Sequence, residues 1–211
     1  MTVRDRILSR TAAFWLLACL LASFLFAASA PSPLYSVYQA MWRFPPSTLT
    51  LIYAVYAFGA LAALLITGRL SDHAGRRLVT AIALVVQIAG MLAFIVAQGA
   101  EWLYAARVLQ GVGTGMAAGA ISAWLLDLQP HDNPRLGSVV AGIALLAGLA
   151  LGGLGSSLLV EYGQDPLHLV YWLLAAVYGV AALVIVLVFG PSLSRGPSIK
   201  AGHSRWGVQA M

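Results

Sequence analysis

Apolar residues run along this chain in six long blocks, each ended by a short cluster of polar residues, glycine or proline. The blocks cover 11–30, 49–67, 78–97, 102–126, 137–160 and 167–189. A helix needs about 20 such residues to cross the hydrocarbon of a bilayer, and each block supplies roughly that number. The pattern predicts an all-α membrane protein: a six-helix transmembrane bundle over residues 1–190 and a flexible tail over 191–211. In that tail Pro191, Gly196, Pro197, Gly202 and Gly207 recur. The first block follows Arg4, Arg6 and Arg10 and ends in Ala28-Ser29-Ala30, the outline of a secretory signal. Pro31 directly after that cleavage point, and the length of the run, predict a retained first helix instead. Pro31, Pro33, Pro45 and Pro46 predict an irregular connection between the first two spans. Its Tyr35, Tyr38 and Trp42 belong at the membrane–water boundary.

Composition narrows the class further. The 211 residues are 61% hydrophobic and 9% charged, against about a quarter charged in ordinary soluble domains. A formal net charge of +5 raises a nucleic-acid partner, but the basic residues are scattered singly through the breaks with no interleaved aromatics. No nucleic acid is expected, and the lipid bilayer is the expected surrounding. The arginines instead report orientation. With six spans, Arg4, Arg6, Arg10, Arg69, Arg76, Arg77, Arg135, Arg195, Lys200 and Arg205 fall on one side and Arg43 alone on the other. Both termini are therefore expected in the cytoplasm. The preference for Arg over Lys, beside abundant Ala and Gly, points to a GC-rich bacterium and so to its inner membrane. The single Cys19 excludes an intramolecular disulfide.

Two breaks in the apolar pattern carry candidate chemistry. The first is Gly68-Arg69-Leu70-Ser71-Asp72-His73-Ala74-Gly75-Arg76-Arg77, read as a hairpin loop between the second and third spans. Gly68 would release the helix, Gly75 would take a left-handed turn, and Asp72 would face a positive partner or a helix N-terminus. Arg76 and Arg77 would anchor the third span at the membrane surface. The second break is Arg107-Val108-Leu109-Gln110-Gly111-Val112-Gly113-Thr114-Gly115 in the fourth span. At 3.6 residues per turn, Arg107, Gln110, Gly111, Thr114, Ala118 and Ser122 share one face. A charge at the bilayer centre costs roughly 2.5–3.5 kcal/mol on insertion scales. Arg107 must therefore face the bundle interior or a watery cavity, or else snorkel to the outer surface past Trp102. Gly111 and Gly115, and Gly148 and Gly152 in the fifth span, have the small-xxx-small spacing that lets helices approach closely.

The pattern G-x-L-x-D-x-x-G-R-R resembles the loop between the second and third helices of the major facilitator superfamily of secondary transporters. Arg107-x-x-Gln110-Gly111-x-Gly113 resembles that superfamily's second motif, again in the matching helix. The resemblance covers residues 10–190 and implies a secondary active transporter of a small solute, with proton-coupled drug or metabolite efflux as one form. It implies a gating role for Gly68, Asp72, Gly75, Arg76 and Arg77, with His73 standing where the family has Arg or Lys. It implies a substrate-cavity or proton-coupling role for Arg107, Gln110 and Thr114. The run from Gly148 to Ser157 resembles the G-x-x-x-G-P-x-x-G-G signature of proton-driven antiporters, with Gly153 at the proline and Ser156-Ser157 at the glycine pair. The first span carries no acidic residue, although many drug–proton exchangers of the superfamily place one there. Family members have two six-helix halves. This chain reads as the N-terminal one, either truncated, paired with another six-helix chain, or dimerised with itself.

Other functions leave fewer traces. A membrane serine protease needs a G-x-S-G loop and an intramembrane His, a voltage sensor needs several arginines on one helix, and a water channel needs paired Asn-Pro-Ala motifs. The sequence has none of these, so no enzyme is expected. His73, His131, His168 and His203 are not paired at ligand spacing within a helix, so no metal and no cofactor is expected. The membrane subunit of an ATP-driven permease, or a six-helix protein that does not transport, remains the alternative. The sequence does not specify a substrate.

Overall fold

The computed structural model describes residues 9–188 apart from positions 131, 164 and 166. The predicted tail over 191–211 and the N-terminal Arg4 and Arg6 lie outside the described residues. Every regular element among the described residues is helical: α1 (Arg10–Ser29), α2 (Leu34–Trp42), α3 (Pro46–Ala74), α4 (Arg76–Ile95), α5 (Ala100–Leu128), α6 (Leu136–Tyr162) and α7 (Leu169–Val188). Six spans among them are long and apolar enough to cross a membrane, α1 and α2 counting together as one of 33 residues. The protein is a multi-pass membrane protein. Large apolar side chains such as Phe58, Leu65, Leu146 and Leu154 lie exposed on the outside of the bundle. Hydrocarbon rather than water suits such a surface, and helices satisfy their own backbone groups there.

Helix α5 is the centre. It is the most buried span and packs against α1, α3, α4 and α6, while α1 also packs on α6 and α4 on α7. Its glycines explain the closeness. A Cβ on Gly111 would overlap the backbone of Tyr56, and one on Gly115 would overlap the backbone of Ala60, both on α3. Gly148 and Gly152 of α6 lie in the same way against Ala22 and Phe26 of α1. Without a side chain on one helix the two backbones meet, and dispersion contacts replace the hydrophobic drive that lipid cannot supply. Where α6 and α7 diverge they leave an apolar cleft of about 400 Å³ over α1, lined by Cys19, Ser23, Phe26, Leu159 and Val177 among others.

Two expectations from the sequence need correction. Residues 31–48 are not an irregular connection, because α2 occupies Leu34–Trp42 within them. The prolines sit where a missing N–H is harmless: Pro33 is the N-cap of α2, Pro45 the N-cap of α3, and Pro46 its first residue. Arg43 ends α2 in the left-handed conformation, with its N–H donating to the Gln39 carbonyl. The second correction concerns the glycine-rich break. Helix α3 runs on through Gly68 to Ala74, so most of the predicted loop is helix. One glycine costs a helix only about 1 kcal/mol, and polar residues at the membrane surface solvate without unwinding. The reversal falls to Gly75 alone, at φ 88°, which at once ends α3 and opens α4. Asp127 and Glu161, one residue past the predicted fourth and fifth spans, likewise lie in the last turns of α5 and α6.

Candidate functional site

Helix α1 ends at a proline, and the ending leaves carbonyls without partners. In a continuous helix Ala27 O would accept from residue 31, but Pro31 has no N–H. The Ser32 N–H turns to Ser29 O at 3.0 Å and the Leu34 N–H to Pro31 O at 3.1 Å, which frees Ala28 O and Ala30 O as well. An unpaired carbonyl inside a bilayer costs several kcal/mol. Three side chains from other helices fill the vacancies. Gln110 Nε2 donates to Ala27 O at 2.7 Å, Arg107 Nη1 to Ala28 O at 2.8 Å, and Ser156 Oγ to Ala30 O at 2.5 Å. The R-x-x-Q spacing on α5 thus matches two successive carbonyls at the break, one helical turn serving each donor.

Arg107 is fully buried, so it does not snorkel. Its Nε donates to the Tyr35 hydroxyl, and Nη1 also donates to Gln110 Oε1 at 2.5 Å. Aromatic rings surround the guanidinium: its carbon lies 5.1 Å from the Tyr35 ring centre, 5.5 Å from Tyr53, 5.1 Å from Tyr56 and 6.0 Å from Phe94. Desolvated cation–π contacts are worth about 2 kcal/mol or more each. The Nη2 nitrogen, also buried, has no hydrogen-bond partner. Among the described residues the ion pairs are Arg76–Asp127 and Asp165–His168, so no carboxylate answers Arg107 there. Thr114, further along the same face of α5, is buried beside Tyr56.

The glycine-rich break forms a separate site. Arg76 Nη1 donates to the Ala123 carbonyl and pairs with Asp127 in the last turns of α5. Arg77 Nη2 donates to Val186 O at 3.2 Å near the end of α7. From the other side Arg10 reaches the same end of α5, donating to Asp127 O at 2.7 Å and to Leu128 O at 3.2 Å. Arg10 and Arg76 therefore meet the negative end of the α5 dipole, and Arg77 that of α7. Gly68 lies within α3 with open space where a Cβ would point. The side chains of Asp72 and His73 lie outside the described residues. The two sites are not brought together: Arg107 and Ala123 are 16 residues apart on α5, about 24 Å of helix.

Sequence reasoning did not single out Tyr53 and Tyr56 beside Arg107, and it gave Tyr35 a place at the membrane boundary and Ser156 one in the antiporter-like run, not at the α1 break. Pro31 was the available signal, since each freed carbonyl demands a donor from elsewhere. A double-mutant cycle checks that account. Pro31→Ala supplies the missing N–H to Ala27 O, so Gln110→Ala should cost less stability in that background, with a coupling of about 1 kcal/mol. Thermal unfolding of the four proteins in one detergent measures it.

Among curated proteins, the chain is similar to the Multidrug resistance protein MdtL of Salmonella paratyphi B, 27% identical over 140 residues, 65% of this chain and 35% of that protein. The protein of the same name from Salmonella paratyphi C is 26% identical over 142 residues, 66% of this chain and 36% of that protein. The chain thus spans about a third of the length of the curated relatives it matches. The family model described as Major Facilitator Superfamily matches residues 16–207, nearly all of the bundle and beyond it. On that match the chain belongs to the Major Facilitator Superfamily.

Proposed function

We propose that the chain is the N-terminal six-helix half of a secondary active transporter that moves a small solute across a bacterial inner membrane, with both ends cytoplasmic. In this reading it works with a second six-helix bundle, from a longer chain, a partner or a second copy. Transporters of this type hold substrate between two halves at the midplane and alternate access by rocking. The observation that carries the reading is Arg107, a cation fully enclosed in the bundle and tied to a break in α1. Intramembrane charges and broken helices are each characteristic of transport sites rather than of passive scaffolds. Efflux of drug-like compounds is the favoured direction, on the printed name of the relatives. Arg76, Arg77 and Gly75, at the α3–α4 reversal, are the gating elements of this reading, and proton coupling would run through Arg107 and Gln110.

The test is reconstitution. The purified chain is placed in liposomes alone, and as a tandem fusion with a second six-helix half, and flux of a panel of fluorescent lipophilic drugs is followed under an imposed proton gradient. Gradient-dependent flux from the fusion and none from the monomer is the expected outcome. Flux by a demonstrated monomer overturns the need for a second bundle. No flux from either, with the proteins intact, overturns the transporter reading.

A further inference from the structure

We propose that Arg107 holds a binding site for the acidic group of an organic anion with an aromatic body, which makes the solute class of the proposed transporter anionic. The inference rests on the transport reading for its purpose but on the cluster's geometry for its chemistry. A guanidinium has five N–H donors in a fixed planar fork. Here Nε is spent on Tyr35 and both donors of Nη1 on Ala28 O and Gln110 Oε1. The two donors of Nη2 remain, buried and without a partner. The positive charge is likewise unanswered, since the ion pairs among the described residues lie elsewhere. Carbonyl dipoles and ring faces soften the charge without neutralising it. A buried cation left in that state favours an incoming anion strongly, because the site has already paid the desolvation of one partner.

The surroundings define the rest of the ligand. With Nε and Nη1 occupied, the fork cannot grip a carboxylate through two nitrogens, so the anion is met by Nη2 alone. One carboxylate oxygen, or two oxygens of a sulfonate or phosphate ester, satisfies it. The neighbouring surfaces are the rings of Tyr53, Tyr56 and Phe94, which match an aromatic body. Tyr53 is the way in. It is 41% exposed on α3 and meets Tyr35 edge-on, at 5.3 Å and 86°. Tyr53 donates to none of the α1 carbonyls, which are capped by Arg107, Gln110 and Ser156, so its displacement would leave those caps in place. A lipophilic cation is disfavoured at the same place by like charge.

Binding is measured on the purified full chain in nanodiscs by isothermal titration, with 1-naphthoate, its uncharged amide and the matching naphthyl trimethylammonium as probes. The carboxylate should bind about 10- to 100-fold tighter than the amide, the range of one charge-assisted hydrogen bond, and the ammonium weakest. Arg107→Gln should abolish that ratio. Arg107→Lys keeps the charge and should keep the order of the three probes at lower affinity. Tyr53→Leu should weaken carboxylate and amide alike and leave their ratio unchanged. Equal binding of carboxylate and amide by the unmodified protein overturns the proposal whatever the variants do, as does a ratio that survives in folded Arg107→Gln. The flux assay fails independently. Flux of neutral or cationic drugs without anion preference removes this inference and leaves the transporter standing. Anion-selective binding without flux does the reverse.

Discussion

Gly115→Leu should abolish recovery of folded, monodisperse protein. The reason is the backbone contact at the centre of the bundle. A Cβ at Gly115 would overlap the carbonyl of Ala60, and its neighbours one turn earlier, Gly111 and Tyr56, meet in the same way. Overpacking a tight core costs typically about 1–3 kcal/mol when side chains can shift. Here the obstacle is backbone on both sides, so α3 must move away as a body and lose its seam with α5 along its length. Helix α3 is the least buried span and has no second large contact to hold it. Gly152→Leu should act similarly by driving α6 from Phe26 of α1. Gly142→Ala and Gly179→Ala are the controls. Both positions have open space where the methyl would point, so they should leave yield and melting temperature near those of the parent. Fluorescence-detected size exclusion after a heat step ranks all four. A Gly115→Leu protein with the parent's profile would show that α3 and α5 do not meet through this glycine.

The second large effect belongs to Arg107→Met, which should lower stability by several times as much as Tyr35→Phe. Methionine fills similar length but donates nothing, so Ala28 O loses its donor inside the bilayer, and Gln110 Oε1 loses its partner too. Each stranded group costs about 1–3 kcal/mol. Removing a buried charge that lacks a counter-ion returns part of that cost, which keeps the net loss at a few kcal/mol. Tyr35→Phe removes a single acceptor from a cation that retains its carbonyl contacts, at about 1 kcal/mol. Thermal melts of the two variants in the same detergent give the comparison. If Arg107→Met melts with the parent, the side chain does not support the break in α1.

Apolar run length made six spans legible in the sequence, because bilayer thickness fixes a length that few other constraints imitate. The same reasoning misread what lies at the span ends. Prolines were taken to forbid helix from 31 to 48, yet at the N-cap and first residue of a helix they fit it. Polar composition from Gly68 to Ala74 was taken as loop, although helix and water are compatible at a membrane surface. Arg107 and Gln110 stood out as polar residues in an apolar helix, and the structure places both at the core. Their partners did not stand out, since Ala27 O and Ala28 O are backbone groups carried by alanines. Tyr35 read as an interfacial aromatic because its burial depends on Arg107, 72 residues further along, reaching its hydroxyl from α5. Local pattern carries element length and one-sided polarity. It does not carry which helix supplies the other half of a hydrogen bond.

Cys19 is exposed on α1 and borders the cleft where α6 and α7 part. Because the sequence holds no other thiol, a maleimide-linked spin label or fluorophore attaches at one place without any prior mutagenesis. Such a reporter sits about one turn from Ala22, whose backbone abuts Gly148, so any widening of the α1–α6 seam would register there as a change in label mobility.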